Sequence, residues 1–376
     1  MTNIKIILVA GARPNFMKIA PLMNQLKKNG NFHPVLVHTG QHYDEKMSDL
    51  FFKQLGIPEP DINLEVGSAS HAVQTARIME RFEKVCLEEK PDAVLVVGDV
   101  NSTAACVLVA AKMNIRTIHY EAGLRSYDRE MPEEINRIVT DSICDYYFTT
   151  SPDADEILIG EGKNKENIFM CGDLMIDSLS ANLEIAKTIV PKLNLLNGKQ
   201  VEPLINPGRK NYGLMTIHRP SNVDDVEHLS EMIRVIGDIS NRIPIVFPAH
   251  PRTLKNINEF GLRKKIDSFS NLLITEPLGY LEFISLLKDA KFLLTDSGGI
   301  QEETTWLNIP CLTLRDNTER PITISMGSNK LIKIDNIEHE VGLILDGKGK
   351  SGKAPSYWDG KSAVRIVKVL DEIFNK

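Results

Sequence analysis

Three acidic side chains in the first half of the chain stand where proton-transfer chemistry needs them. Asp99 lies in Val97-Gly98-Asp99-Val100-Asn101-Ser102-Thr103. Glu121 lies in His119-Tyr120-Glu121-Ala122-Gly123-Leu124-Arg125-Ser126, and Glu133 in Met131-Pro132-Glu133-Glu134-Ile135-Asn136-Arg137. The first two follow runs that predict β-strands, so each carboxylate falls at a strand's C-terminal end, where it has little structural purpose. Three carboxylates converging on a small volume raise one another's pKa values, leaving one proton donor and one base near neutrality. Plainer readings cover part of this. Asn101 or Ser102 caps the helix that follows. Pro132 suits a first helical position, and acids in a first turn favour the helix dipole, which accounts for one of Glu133 and Glu134. Arg125 can pair with a phosphate or with Glu121.

A second set of motifs suits a diphosphate. Gly11-Ala12-Arg13-Pro14-Asn15-Phe16-Met17-Lys18 joins the first predicted strand to the first predicted helix and brings two cations, Arg13 and Lys18, near a helix start. Asp296-Ser297-Gly298-Gly299-Ile300-Gln301-Glu302-Glu303 follows another strand and opens another helix. Two glycines there let backbone N–H groups approach a phosphate, and Glu302 or Glu303, one turn on, can reach a ribose diol. Thr318-Glu319-Arg320-Pro321 adds a cation, and Thr216-Ile217-His218-Arg219-Pro220 places His218 at a strand end. His250-Pro251-Arg252 is a weaker signal of the same kind. There is no G-x-G-x-x-G and no G-K-[ST], so neither dinucleotide nor P-loop binding is supported.

The elements that must hold these residues read as two successive α/β halves. Strands are predicted at Ile4–Val9, Pro34–His38, Ala93–Val97, Arg116–Tyr120, Tyr146–Thr149 and Ile168–Met170, with helical patterns between them, among them Glu45–Leu55. Alternation resumes with strands at Tyr212–Thr216, Ile243–Pro248, Leu272–Thr275, Phe292–Thr295, Cys311–Leu314 and Lys330–Ile334, and with helices that include Leu254–Ile266. This implies βαβ units and parallel sheets. The expected domains are residues 1–172 and 211–361, joined by a Pro- and Gly-bearing connection at 173–210, with an amphipathic helix over 362–376. Two such halves place a cleft between them, with strand C-termini facing it.

The chain has 376 residues, room for two domains at ~100–200 residues each. Its hydrophobic content of 42% and charged content of 25% are those of an ordinary globular protein. A net charge of −6, from 44 basic and 50 acidic residues, argues against nucleic acid as a partner. The five cysteines form no C-x-x-C pair, which speaks for buried thiols in a reducing compartment rather than a zinc site or disulfides. No apolar run is long enough to span a membrane. The expected location is the cytoplasm.

Taken together, the motifs resemble those of the non-hydrolysing UDP-N-acetylglucosamine 2-epimerases. The shared strings are Gly11–Lys18, Thr39-Gly40-Gln41-His42, Gly98-Asp99, Glu121–Ser126, Pro132–Arg137, His218-Arg219, His250-Pro251, Ser297–Glu303 and Glu319-Arg320-Pro321, in the family's order. The resemblance implies two Rossmann-like domains in a GT-B arrangement, with the last helix packed back on the first domain, and a homodimer. It implies catalytic roles for Asp99, Glu121, Glu133 and His218. It implies substrate contacts at Arg13, Lys18, Ser297, Gly298, Gly299 and Arg320, with the ribose on Glu303 and the uracil beside Leu278 and Phe283. Gln41, His42 and His250 match the family's second, activating UDP-N-acetylglucosamine site. The Arg-Gln pair of that site is absent here, where Ser68 and Ala69 stand with His71 nearby.

The expected reaction is reversible epimerisation of UDP-N-acetylglucosamine to UDP-N-acetylmannosamine at carbon 2. The resemblance implies that UDP leaves by anti elimination to give 2-acetamidoglucal and then adds back. No cofactor is expected, because there is no redox step, and no metal, because cations and amides stabilise the leaving group. The partners expected are UDP-N-acetylglucosamine and UDP. Alternatives are a hydrolysing 2-epimerase and a GT-B glycosyltransferase using a UDP-sugar donor.

Overall fold

The computed structural model describes residues 3–40, 59–191, 193–196 and 208–375. These fall into two compact units, one comprising the chain up to Ala181 together with Ser356 onward, the other Asn182–Pro355. Each unit is built on one parallel sheet with alternating helices, the two Rossmann-like α/β domains expected. Among the described residues no helix is long and apolar enough to cross a membrane.

The first sheet has seven strands: β1 (Ile4–Ala10), β2 (Phe32–His38), β3 (Ile62–Asn63), β4 (Ala93–Val97), β5 (Arg116–Tyr120), β6 (Tyr146–Thr149) and β7 (Ile168–Met170). Their order is β3-β2-β1-β4-β5-β6-β7. The chain winds outward one way from β1 and the other way from β4, so the two motifs after those strands meet where the winding reverses. Such a switch point leaves an opening beyond the strand ends, the usual place for a ligand in an open α/β sheet. β4 reads Ala-Val-Leu-Val-Val and is buried throughout, as a parallel strand covered by helices on both faces must be. β3, only two residues long, leaves no pattern in the sequence.

The second sheet repeats this logic with β8 (Gly213–Thr216), β9 (Ile245–Pro248), β10 (Leu272–Thr275), β11 (Phe292–Thr295), β12 (Cys311–Leu314) and β13 (Asn329–Ile332). The order β10-β9-β8-β11-β12-β13 puts the switch point between β8 and β11, next to His218 and Asp296. The expected helix Leu254–Ile266 is two helices, Pro251–Glu259 and Arg263–Asp267. Gly261, at φ +68, breaks it, because a left-handed residue cannot continue a right-handed helix. The expected helix Glu45–Leu55 lies outside the described residues.

After β7 the helix Leu174–Thr188 leads out of the first unit, and Leu195 forms an isolated antiparallel bridge with Thr275 of β10. The chain returns at Ser356. The Trp358 indole N–H donates to the Thr150 carbonyl at 2.9 Å, and the Ser362 and Ala363 N–H groups donate to Asp177 at 2.9 and 2.8 Å. The final helix, Ser362–Phe374, lies on the Arg13–Asn29 side, where Asp371 accepts from Asn29 at 2.8 Å and from Asn31 at 3.1 Å. Gly172 permits this closure: its φ is +89, and a Cβ would stand 2.1 Å from the Tyr357 carbonyl oxygen. Gly172→Ala is therefore expected to lower the unfolding free energy by about 2–4 kcal/mol, through backbone strain and displacement of the returning segment. Urea titration followed by tryptophan fluorescence measures this, and an unchanged midpoint would contradict it.

Candidate functional site

At the switch point of the first sheet, Asn15 ties the loop after β1 to the end of β4. Its Oδ1 accepts from the Ala12 N–H at 2.8 Å and the Gly11 N–H at 3.2 Å, while its Nδ2 donates to the Val97 carbonyl at 3.1 Å. Gly11 has no room for a side chain, since a Cβ would stand 2.4 Å from Ser102 Oγ. Arg13 opens the helix Arg13–Asn29 as its first residue. Lys18, on the second turn, is buried and pairs with Glu121, Nζ to Oε1, at 2.5 Å.

Glu121 is 3% exposed and holds a left-handed backbone, φ 72, which costs a non-glycine residue on the order of 1–3 kcal/mol. Such strain persists only where the surroundings over-determine the residue, as burial and the Lys18 pair do here. Gly98, with φ +71, gives it space: a Cβ there would stand 3.1 Å from Glu121 Oε2. Asp99 is thus one residue from a glycine that faces Glu121.

The third acidic motif starts the helix Pro132–Ile143. Glu134 is consumed structurally. Its carboxylate accepts from Ser126 N, Ser126 Oγ and Tyr127 N at 2.8, 3.0 and 3.0 Å, and pairs with Arg137 at 2.7 Å. Burial opposes its ionisation, but these donors prevail and hold it below the usual glutamate range. Glu133 is half-buried and has no side-chain partner among the described residues. Arg137 reaches in the other direction to Asp99, donating from Nε at 3.0 Å and from Nη2 at 2.5 Å to the same Oδ2. Asn136 holds the Asp99 carbonyl at 2.9 Å.

Farther along the same helix, Asp141 is fully buried and gathers the loop after β5. Oδ1 meets His119 Nδ1 at 2.6 Å; Oδ2 accepts from the Gly123 N–H at 3.0 Å and pairs with Arg125 at 2.7 Å. Burial again opposes ionisation, and the His119 and Arg125 contacts outweigh it, holding Asp141 below the usual range. The other ring nitrogen of His119 faces the Gly98 carbonyl at 2.9 Å. Arg125 pairs with Asp141 and, at 2.7 Å, with Glu161, rather than with Glu121.

In the second unit the buried carboxylate is Asp296. It accepts from the His218 and Arg219 N–H groups at 3.0 and 2.8 Å and from Asn222 Nδ2 at 3.0 Å. It also pairs with His218 Nδ1 at 3.0 Å. Burial raises its pKa, and the His218 contact leads the donors that bring it down below the usual range. His218 is thereby fixed with its ring part-exposed. His250 lies beside it, ring centroids 5.4 Å apart, and caps the helix Pro251–Glu259 by accepting from the Arg252 N–H at 3.2 Å.

Ser297, Gly298 and Gly299 form the half-buried turn into the helix Ile300–Leu307. A Cβ on Gly298 would stand 2.4 Å from Glu319 Oε1. Arg320 is enclosed by acids, pairing with Glu302 and, at 2.7 Å, with Glu319, which also meets Arg315 at 2.9 Å. Glu303 is different. It is 2% exposed and accepts from the Tyr280 hydroxyl at 3.0 Å, and its pKa is pushed up to about 7 by burial, with Glu302 adding to the effect and Tyr280 opposing it. Leu278 and Phe283 flank Tyr280, one in the loop before the helix Tyr280–Leu287 and one within it, both half-buried. Gln41 and His42 lie outside the described residues.

The family model for UDP-N-acetylglucosamine 2-epimerase matches residues 24–371. The chain belongs to the UDP-N-acetylglucosamine 2-epimerase family. A UDP-N-acetylglucosamine 2-epimerase of Methanocaldococcus jannaschii is 42% identical over 97% of this chain and 98% of its own. A UDP-2,3-diacetamido-2,3-dideoxy-D-glucuronate 2-epimerase of Pseudomonas aeruginosa is 36% identical over 98% of this chain and 100% of its own. A crystal structure of the M. jannaschii enzyme, in complex with UDP-GlcNAc and UDP, superposes with a TM-score of 0.86 at 41% identity, covering 98% of this chain and 100% of that one.

Four side chains that organise these loops were not singled out from the sequence: Asn15 and Arg137 in the first unit, Tyr280 and Asp296 in the second. Arg137 stood three residues after Glu134 on a predicted helix, the spacing of an ion pair, and that was the available signal. The raised pKa of Glu303 makes a sharper prediction. Shifting a carboxyl from the ordinary 4.5 to about 7 makes ionising it in the folded protein cost roughly 3 kcal/mol. The favourable contribution of the neutral form is present in full below pH 4.5 and is lost as pH rises through 7. Glu303→Gln is therefore expected to raise the melting temperature at pH 8 by several degrees and to leave it almost unchanged at pH 4.5. Equal shifts at both pH values would remove this residue from the account.

Proposed function

We propose that this protein interconverts UDP-N-acetylglucosamine and UDP-N-acetylmannosamine by inverting carbon 2. The observation that carries the reading is the Glu121 carboxylate: buried, strained and ion-paired beside Gly98-Asp99 in a chain of this family. Two readings of the sugar are compatible with the relatives. N-acetylglucosamine is favoured over the diacetamido-glucuronate because the relative named for it is 42% identical against 36%.

Carbon 2 carries a non-acidic C–H, so inversion needs a route that makes the proton removable. A carboxylate takes the proton from carbon 2, the electron pair forms the carbon 1–carbon 2 double bond, and the carbon 1–oxygen bond breaks with its electrons on UDP. The product is 2-acetamidoglucal with UDP held beside it. UDP then attacks carbon 1 while a carboxylic acid delivers a proton to the opposite face of carbon 2. Asp99, Glu121 and Glu133 share the two proton transfers. Charge growing on the leaving diphosphate is met by Arg13, Lys18, His218, Arg320 and the Ser297–Gly299 amides, which need no reorganisation at the moment of reaction. Glu303 takes the ribose, and Leu278 and Phe283 border the uracil. Residues of both units take part in this reading.

Incubation with UDP-N-acetylglucosamine in deuterated water, followed by NMR, tests the reaction. The expected product is UDP-N-acetylmannosamine with deuterium at carbon 2 and no acceptor required. Free N-acetylmannosamine would mean hydrolysis, and an inert mixture would point to glycosyl transfer. In the same assay Asp99→Asn and Glu121→Gln should each lower kcat by roughly 10²–10⁴-fold with the fold retained. Near-normal turnover in either variant would take that residue out of the reaction.

A further inference from the structure

We propose that Arg137 is a positioning residue for Asp99, holding one carboxylate oxygen so that the other alone is offered to the sugar. The inference rests on the epimerase reading and adds a residue to it. Arg137 comes from the helix Pro132–Ile143, and its side chain is 3% exposed. Two of its N–H groups converge on Asp99 Oδ2, at 3.0 and 2.5 Å, and a third binds Glu134 Oε2 at 2.7 Å. Glu134 cannot follow a moving arginine, because Ser126 and Tyr127 hold both of its oxygens. The guanidinium is therefore anchored at one end and clamps Asp99 with the other.

The clamp leaves a defined remainder. The Asp99 side chain is 29% exposed, and its Oδ1 has no partner among the described residues. Asn136, one residue before Arg137, fixes the Asp99 carbonyl at 2.9 Å, so backbone and carboxylate are set by adjacent residues of one helix. Here one acid is buried and spent, and the other keeps a free oxygen open to solvent. Proton transfer demands donor and acceptor within about 2.6–3.2 Å along a fixed direction, and a rigid planar fork supplies that direction where a lysine's single point of charge does not.

The test is a double-mutant cycle on turnover of UDP-N-acetylglucosamine, with thermal melts to confirm folding. Arg137→Lys should lower kcat about 100-fold with KM within threefold of wild type. In an Asp99→Asn background the same change should cost less than threefold, because the oxygen that Arg137 aims no longer takes a proton. Multiplicative losses, or an Arg137→Lys enzyme within threefold of wild type, would overturn the assignment. Asp99→Glu tests it without touching the arginine. A clamped oxygen forces the longer side chain's free oxygen out of place, so this variant should be nearly as inactive as Asp99→Asn, whereas retention of a third of wild-type activity would refute the clamp. Wild-type protein run alongside keeps the two readings apart. An inert wild type brings down the epimerase reading and Arg137's role with it, while an active one makes the variants speak of Arg137 alone.

Discussion

One buried face of one helix sets the geometry of the first unit's acidic loops. Glu134, Arg137 and Asp141 stand at successive turns of Pro132–Ile143, and each reaches a different stretch of chain: Ser126–Tyr127, Asp99, and the His119–Arg125 loop. These are ionic contacts out of water, where the attraction between partners only balances the desolvation they suffer. Removing any one member leaves a buried charge without compensation, at a cost of about 3–5 kcal/mol. The network therefore adds little to stability for its size, and what it provides instead is position. Loops that would otherwise sample many conformations are locked to a single rigid element, and the strained backbone of Glu121 persists because its surroundings leave it no alternative.

The second unit solves the same problem with a similar device. Asp296 is a fully buried carboxylate that collects two backbone N–H groups and the Nδ1 of a histidine, much as Asp141 collects the Gly123 N–H and His119 Nδ1 in the first unit. Asp296 stands at the switch point of its sheet, where chain winding leaves an opening beyond the strand ends, while Asp141 gathers the loop after β5, the strand next to β4. The histidines differ in consequence. His119 is enclosed and turned inward to the Gly98 carbonyl, while His218 keeps part of its ring open. The turn Ser297–Gly299 then rises directly from Asp296, so the amides proposed for the diphosphate are anchored by the same acid that orients the proposed catalytic histidine.

Much of the fold was legible because parallel sheets covered on both faces produce unbroken apolar runs, of which Ala93–Val97 is the plainest. The chemistry-bearing loops were legible for a related reason: polar and glycine-rich strings stand out directly after such runs. What could not be read was who pairs with whom. Arg125 was left between a phosphate and Glu121, and it takes Asp141 and Glu161, residues 16 and 36 positions downstream, which only the folded sheet brings close. Glu133 and Glu134 are indistinguishable in sequence, yet a helix turns one inward to Arg137 and leaves the other half-exposed. The break at Gly261 was masked by an apolar periodicity that continues across it.

The most direct measurement is a crystal structure of the protein with UDP-N-acetylglucosamine bound. The account predicts diphosphate oxygens on the amides of Ser297, Gly298 and Gly299, ribose hydroxyls on Glu303, and carbon 2 of the sugar within about 3–3.5 Å of a carboxylate oxygen from Asp99, Glu121 or Glu133. A sugar whose carbon 2 lies well beyond that reach of all three, with the nucleotide seated away from the Ser297 turn, would contradict it.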